Sequence, residues 1–229
     1  MKDQCASARW SIVFLALLLT TQLSAGGKKP SGTRIADASS TAWVEVANTD
    51  GVDIYSRTRA GSPLKEFRSV GEIDAPSNAV FAILNDPQAY PSFMPYCAEC
   101  RVLQRTKSGA VIYHRLDLPW VSDRDYTLRS THSKVPGPNG PIYLIRWQPA
   151  NDLGPAPKPG VERVEVCEGS WLLDPTSTRT TRATYLIYSG TGGAIPAFIA
   201  NRERQIAIRK VFDALRAEVR KPKYAHAKR

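Results

Sequence analysis

Few side chains in this chain of 229 residues stand at spacings that support covalent chemistry. Cys97-Ala98-Glu99-Cys100 has the spacing of a redox or metal-binding dithiol, but no strand-to-helix pattern of a thioredoxin-like site surrounds it. A zinc centre would need a fourth ligand, and the three histidines, His114, His132 and His226, stand at no metal spacing. With Cys5 set aside in the N-terminal segment, Cys97, Cys100 and Cys167 read as one disulfide or three buried thiols. Gly190-Thr191-Gly192-Gly193 lacks the Lys-Ser/Thr of a phosphate-cradling loop and runs toward Pro196, so its simpler role is a tight turn. No Gly-x-Ser-x-Gly elbow and no set of nucleophile, base and orienting group can be assembled. The residues therefore predict no metal, no cofactor and no enzyme.

Binding is better provided for. With the two-residue period of a strand, Ile112, His114, Leu116 and Leu118 share one face, and Arg124, Tyr126 and Leu128 share a face of the next strand. Tyr126 and Leu128 belong inside, which points Arg124 inward as well. A buried guanidinium is costly unless paired. Asp123 and Asp125 point to the opposite face, so Arg124 either meets a phosphate or carboxylate oxygen of a ligand, or snorkels or pairs with a core acid such as Glu168.

These positions need a sheet, and the sheet needs a cover. Strands are predicted at 43–46, 52–57, 64–73, 99–106, 111–118, 124–130, 142–148, 163–173 and 182–188, with connections too short for parallel crossovers. A short helix opens at Asp74-Ala75-Pro76-Ser77, capped by Asp or Ser, and stops before Pro87. The long helix runs from Gly192 to Val219, with Ile208, Val211, Phe212, Leu215 and Val219 on one stripe. Extended backward, that stripe meets Gln205, Arg204 and Asn201 before apolar character returns at Phe198 and Ala197. Ile199 and Ile206 fall on the other side, as a lid or membrane-touching surface, or in contact with the proline-rich segment 149–160. A polar stretch on a core-facing stripe means that this half faces a wet or ligand-filled space or overhangs the sheet. The fold class is α+β, one curved antiparallel sheet gripping one long helix.

Residues 1–25 have the basic start, apolar run and small-residue end of a signal peptide, which predicts export to a periplasm or beyond the cell, with an uncleaved membrane anchor as the lesser alternative. Residues 26–41 read as a flexible linker, residues 42–221 as the domain, and residues 222–229 as a basic tail. The net charge is +10, and from residue 202 onward ten Lys/Arg face three acids, which leaves +7 there. That excess suits an anionic membrane surface or is a solvated helix face. Nucleic acid is not expected, because basic and aromatic residues are not interleaved.

Three segments carry a family likeness. Val111-Ile112-Tyr113-His114-Arg115-Leu116-Asp117-Leu118-Pro119-Trp120-Val121-Ser122-Asp123-Arg124-Asp125-Tyr126 resembles the central strand pair of START-domain lipid-transfer proteins, above all the phosphatidylcholine-transfer type. Gly160-Val161-Glu162-Arg163-Val164 is similar to a strand start of that family. Gly192-Gly193-Ala194-Ile195-Pro196-Ala197-Phe198-Ile199-Ala200-Asn201 is similar to its lead-in to the C-terminal helix. The three come in the family's order, within Trp43 to Lys221. The resemblance implies a helix-grip fold whose internal cavity holds one lipid or sterol-like molecule, with no cofactor, in a monomer. It implies that Arg124 meets a lipid phosphate. The expected ligand-binding residues are Arg124, Tyr126, His114, Leu116, Asn201, Gln205 and Phe198, with the C-terminal helix as gate. Tyr90-Pro91-Ser92-Phe93-Met94-Pro95-Tyr96-Cys97 also looks like a segment of quinone-binding and cyclase-like relatives, which keeps a quinone-binding protein or a cyclase- or hydrolase-type enzyme as the alternative.

Overall fold

The computed structural model describes residues 42–119, 121–192 and 195–224. The leader and linker assigned to residues 1–41 lie outside the described residues, as do residues 225–229.

Among the described residues, nine strands form one antiparallel sheet in the order β1-β2-β3-β10-β9-β7-β6-β5-β4. They are β1 (Val44–Thr49), β2 (Val52–Thr58), β3 (Lys65–Ile73), β4 (Cys97–Thr106), β5 (Gly109–Leu116), β6 (Asp123–Val135), β7 (Ile142–Pro149), β9 (Cys167–Ser177) and β10 (Thr180–Ser189). The short β8 (Val161–Arg163) pairs with β6 in parallel. The single strand expected over 163–173 is thus two: after β7 the segment 150–163 returns beside the start of β6 and pairs with it as β8 before β9 begins, and that longer path permits the parallel pairing.

Helix α1 (Ser77–Leu84) starts at Pro76 without a side-chain cap. The expected Asp or Ser cap is absent, because the Ser77 hydroxyl donates instead to the Pro141 carbonyl. Packing holds this short helix, since Ala79, Val80 and Ile83 are fully buried.

Helix α2 (Ala197–Glu218) crosses the concave face. The sheet curves around it, and the chain is α+β with the helix gripped, as expected. Ile208, Phe212, Leu215 and Val219 pack into the core. Gly71 on β3 makes room for them: a Cβ there would lie 2.9 Å from the Phe212 ring. Arg216 pins this half to the sheet, donating to Glu72 O at 3.0 Å, Asp50 O at 2.6 Å and Gly51 O at 3.1 Å. Beyond α2 the chain does not fray at once. Tyr224 is buried and donates to Asp86 Oδ2 at 3.2 Å, and Lys223 pairs with the same carboxylate. The fold therefore continues through residue 224, three residues into the segment assigned as tail.

Candidate functional site

The concave face and α2 do not close on each other along their whole length. Between them lies a cavity of about 630 Å³. Strand alternation supplies its walls: Ile112, His114 and Leu116 from β5, with Arg124, Tyr126 and Leu128 from β6. Trp147, Trp171 and Tyr185 continue the surface, with the Trp171 and Tyr185 rings stacked at 4.3 Å. His114 stacks on Tyr126 at 5.1 Å. Burial raises the phenols of Tyr90, Tyr126 and Tyr185 above their ordinary range, so these three stay neutral hydrogen-bonding groups at physiological pH.

Four of the seven predicted binding residues, Arg124, Tyr126, His114 and Leu116, line this cavity. The three from α2 do not. Phe198 is 74% exposed and points away. Asn201 turns to the edge of β3, where its Oδ1 accepts from the Lys65 N–H at 3.2 Å. Gln205 sits on the same flank of the helix and is absent from the cavity wall. The reason is angular. The wall is centred on Ala200, Arg204, Ala207 and Val211, whereas the packed stripe is Ile208, Phe212, Leu215 and Val219, with Ile208 alone of that stripe also lining the cavity. At roughly 100° per residue these stripes lie about 80° apart. Running one stripe backward along the helix therefore selects the wrong flank. Ile199, placed outside from the pattern, sits on the cavity rim and is half exposed.

Arg124 is 4% exposed and forms no ion pair with an acid among the described residues. Its guanidinium donates to the carbonyls of Ser122, Thr191 (3.3 Å) and Gly192 (3.4 Å). Glu168, the acid considered from the sequence, pairs with Arg59. Arg124 thus ties the sheet to the segment leading into α2, where Gly192 adopts a left-handed φ of +60° that disfavours side chains.

Arg204 differs. It lines the cavity from α2, and its Nη1 is fully enclosed without a hydrogen-bond partner. The ionisable groups it faces are Cys167, Tyr185 and Tyr188, with no carboxylate among them. Burial pushes its pKa below the ordinary arginine value, yet a guanidinium keeps its proton in any protein setting.

Thiol chemistry gathers at the other end. Cys97 and Cys100 would face opposite ways in a regular strand, being three residues apart. A bulge at Ala98 shifts the register, so that Cys97 opposes Leu116 and Cys100 opposes His114. Both thiols then share the inner face with His114, all three buried, and their ligand atoms lie within 4.8 Å of one another. Cys100 Sγ is 3.5 Å from His114 Nδ1. The Cys100 thiol, through its hydrogen bond, and then His114 hold the Cys97 thiol well below the ordinary range, while Cys100 is pushed far above it. Two thiols and an imidazole are the donor types zinc takes, one ligand short of a closed site. Sequence spacing alone hides this grouping, because the bulge and the strand pairing create it.

The sequence profile of the family described as polyketide cyclase / dehydrase and lipid transport matches residues 73–148. A Pseudomonas aeruginosa protein, described as uncharacterized, is 30% identical over 160 residues, which cover 69% of this chain and 77% of that protein. Among solved structures, a STAR-related lipid transfer protein fragment from Xanthomonas axonopodis aligns with a TM-score of 0.71 at 29% identity, over 78% of this chain and 99% of that one. Human STARD10 has the same fold, with a TM-score of 0.71 at 17% identity over 82% of this chain and 78% of its own. A curved sheet gripping a C-terminal helix over an apolar cavity, together with these likenesses, means that the chain belongs to the START superfamily of hydrophobic-ligand-binding folds.

Proposed function

We propose that the protein binds one lipid or sterol-like amphiphile in this cavity and carries it between membranes, with the N-terminal half of α2 as the gate. The observation that carries this reading is the contrast within α2. Its second half is packed and pinned by Arg216, while its first half lies over the roughly 630 Å³ space. At the roughly 30 Å³ that a water molecule occupies in the liquid, that volume of about 630 Å³ has room for at least about 20 non-hydrogen atoms. Each methylene buried there contributes about 0.8 kcal/mol.

The gate has few ties. Asn201 accepts one backbone hydrogen bond, and just past the middle of the helix Lys210 Nζ donates to Tyr96 OH at 2.7 Å across an exposed surface. Arg124 holds the lead-in segment from below. Phe198, exposed on the first turn, suits contact with a membrane, and the basic residues of α2 suit an anionic one. The leader-like residues 1–25 support export, so the traffic belongs to a periplasm or the cell exterior.

Binding is favoured over catalysis by the cavity wall, in which Glu203 is the one carboxylate among the described lining residues. A carboxylate pair for general acid and base work is thus missing from that wall.

Native mass spectrometry of the purified full chain tests the proposal. One co-purifying lipid or sterol-like molecule per chain is expected. A protein that stays empty after incubation with lipid vesicles overturns it. A disulfide engineered between the first half of α2 and the sheet is expected to stop exchange while leaving bound ligand in place; unchanged exchange rejects the gate.

A further inference from the structure

The geometry points to an anionic head group on the ligand, a carboxylate or phosphate monoester, held by Arg204 on the gate helix. This rests on the reading of the cavity as a hydrophobic-ligand site and names the chemistry of what fills it.

An arginine inside an apolar cavity needs compensation. Burying a charge without a partner costs several kcal/mol, and a guanidinium cannot escape by losing its proton. Among the described residues, three other arginines with little exposed guanidinium have compensation, and of these only Arg124 lines the cavity. Arg124 has three carbonyls. Arg163 has Asp125. Arg68, whose Nε also lacks a hydrogen-bond partner, lies over the rings of Trp43 and Tyr55. Arg204 has none of these, and its Nη1 is enclosed with no acceptor.

The groups around it do not supply the missing charge. Burial raises Cys167 to about 11 and lifts Tyr185 above its ordinary value, so neither is an anion at neutral pH. Glu203 lines the cavity but is exposed and makes no ion pair with Arg204. Apart from the Cys97 thiol, which lies with His114 and Cys100 and not among the groups that Arg204 faces, the charged side chains of the described lining are Arg124, Arg204 and Glu203. A guanidinium presents a planar fork of donors that matches a carboxylate or phosphate in two-point contact. The hydrocarbon of such a ligand would lie against Leu116, Leu128, Trp171 and Val211. Because Arg204 rides on the gate, an anionic ligand would also tie α2 to itself and close its own exit.

The test compares palmitic acid, hexadecyl phosphate and methyl palmitate by displacement of a fluorescent probe from the full chain. At least one anionic ligand is expected to bind about 10- to 100-fold more tightly than the ester, the range for a hydrogen bond to a charged group. Preference between the acid and the phosphate assigns the head group. Arg204→Gln is expected to remove the margin and Arg204→Lys to keep much of it. Equal affinity of acid, phosphate and ester, or a margin unchanged in Arg204→Gln, overturns the assignment while leaving the hydrophobic-ligand reading intact. Failure of all three to bind overturns that reading and this one with it. A second readout needs no ligand: Arg204→Met removes a half-buried charge whose Nη1 is enclosed without an acceptor, so the empty protein is expected to melt at a higher temperature, and a lower one counts against the proposal.

Discussion

Arg163 Nε donates to Asp125 Oδ1 at 2.6 Å, and its Nη2 reaches Oδ2 at 3.2 Å. The pair joins two of the segments whose sequences resemble START proteins, one on β6 and one on β8, and Tyr113 OH adds a bond to Asp125 Oδ2 at 3.1 Å. In the run Arg124-Asp125-Tyr126, alternation therefore splits the labour. Arg124 and Tyr126 face the cavity, while Asp125 faces the back of the sheet and fastens β8.

Removing one partner of this pair leaves the other buried and uncompensated. Asp125 is 1% exposed, so Asp125→Ala is expected to cost about 3–5 kcal/mol in urea denaturation. Replacing both partners with apolar residues is expected to recover much of that loss. A double mutant as unstable as the single would show that the two side chains act through something other than each other.

Arg124 makes a different prediction, about rates. Its bonds to Thr191 and Gly192 restrain the segment that must move if α2 opens. Arg124→Met is expected to speed ligand exchange several-fold between vesicle populations, measured by fluorescent lipid transfer. If Arg124 served the head group instead, the same change would weaken equilibrium binding of anionic ligands, as Arg204→Gln should. The two variants thus separate latch from receptor.

The sheet and the walls of β5 and β6 were legible because strand faces follow a strict period. Ile112, His114, Leu116, Arg124, Tyr126 and Leu128 all fall where alternation puts them. What escaped were positions that depend on a change of period or of angle. The bulge at Ala98 inverts parity and joins Cys97, Cys100 and His114. The two stripes of α2 diverge, so a backward extension from Ile208 meets Gln205, Arg204 and Asn201 together, and the expectation of binding falls on Asn201 and Gln205 where the wall uses Arg204 and Ala207. A signal existed: Ala200, Ala207 and Val211 form an apolar row of helical spacing in which Arg204 is the one charged member.

The thiols answer to pH. A thiol whose pKa is lowered stays a thiolate as pH falls below the ordinary value of about 8.5. Cys97, held low by Cys100 and His114, is therefore expected to react with iodoacetamide at pH 7 nearly as fast as at pH 8.5. Cys100 and Cys167, both raised, are expected to stay inert across that span. Peptide mapping by mass spectrometry reads the sites. Cys97 lines the cavity, so bound lipid is expected to shield it; equal labelling of all three thiols would contradict the arrangement.

Phe198 separates holding a ligand from delivering it. The side chain stands 74% exposed on the first turn of the gate helix and takes no part in the cavity wall. An exposed aromatic at that place gains by entering a lipid surface, where burying a Phe side chain contributes about 1.5–3 kcal/mol. Phe198→Asp is expected to slow transfer to anionic vesicles at least tenfold while leaving equilibrium affinity for the ligand unchanged. The basic face of α2 adds a salt dependence, since attraction to such vesicles weakens as the Debye length falls to about 3 Å near 1 M salt. Wild-type transfer should therefore slow with salt, and to neutral vesicles it should not. If Phe198→Asp lowers affinity and transfer equally, the residue acts on the cavity after all, and the membrane contact must be sought elsewhere on the rim, at Val121 or Ile199.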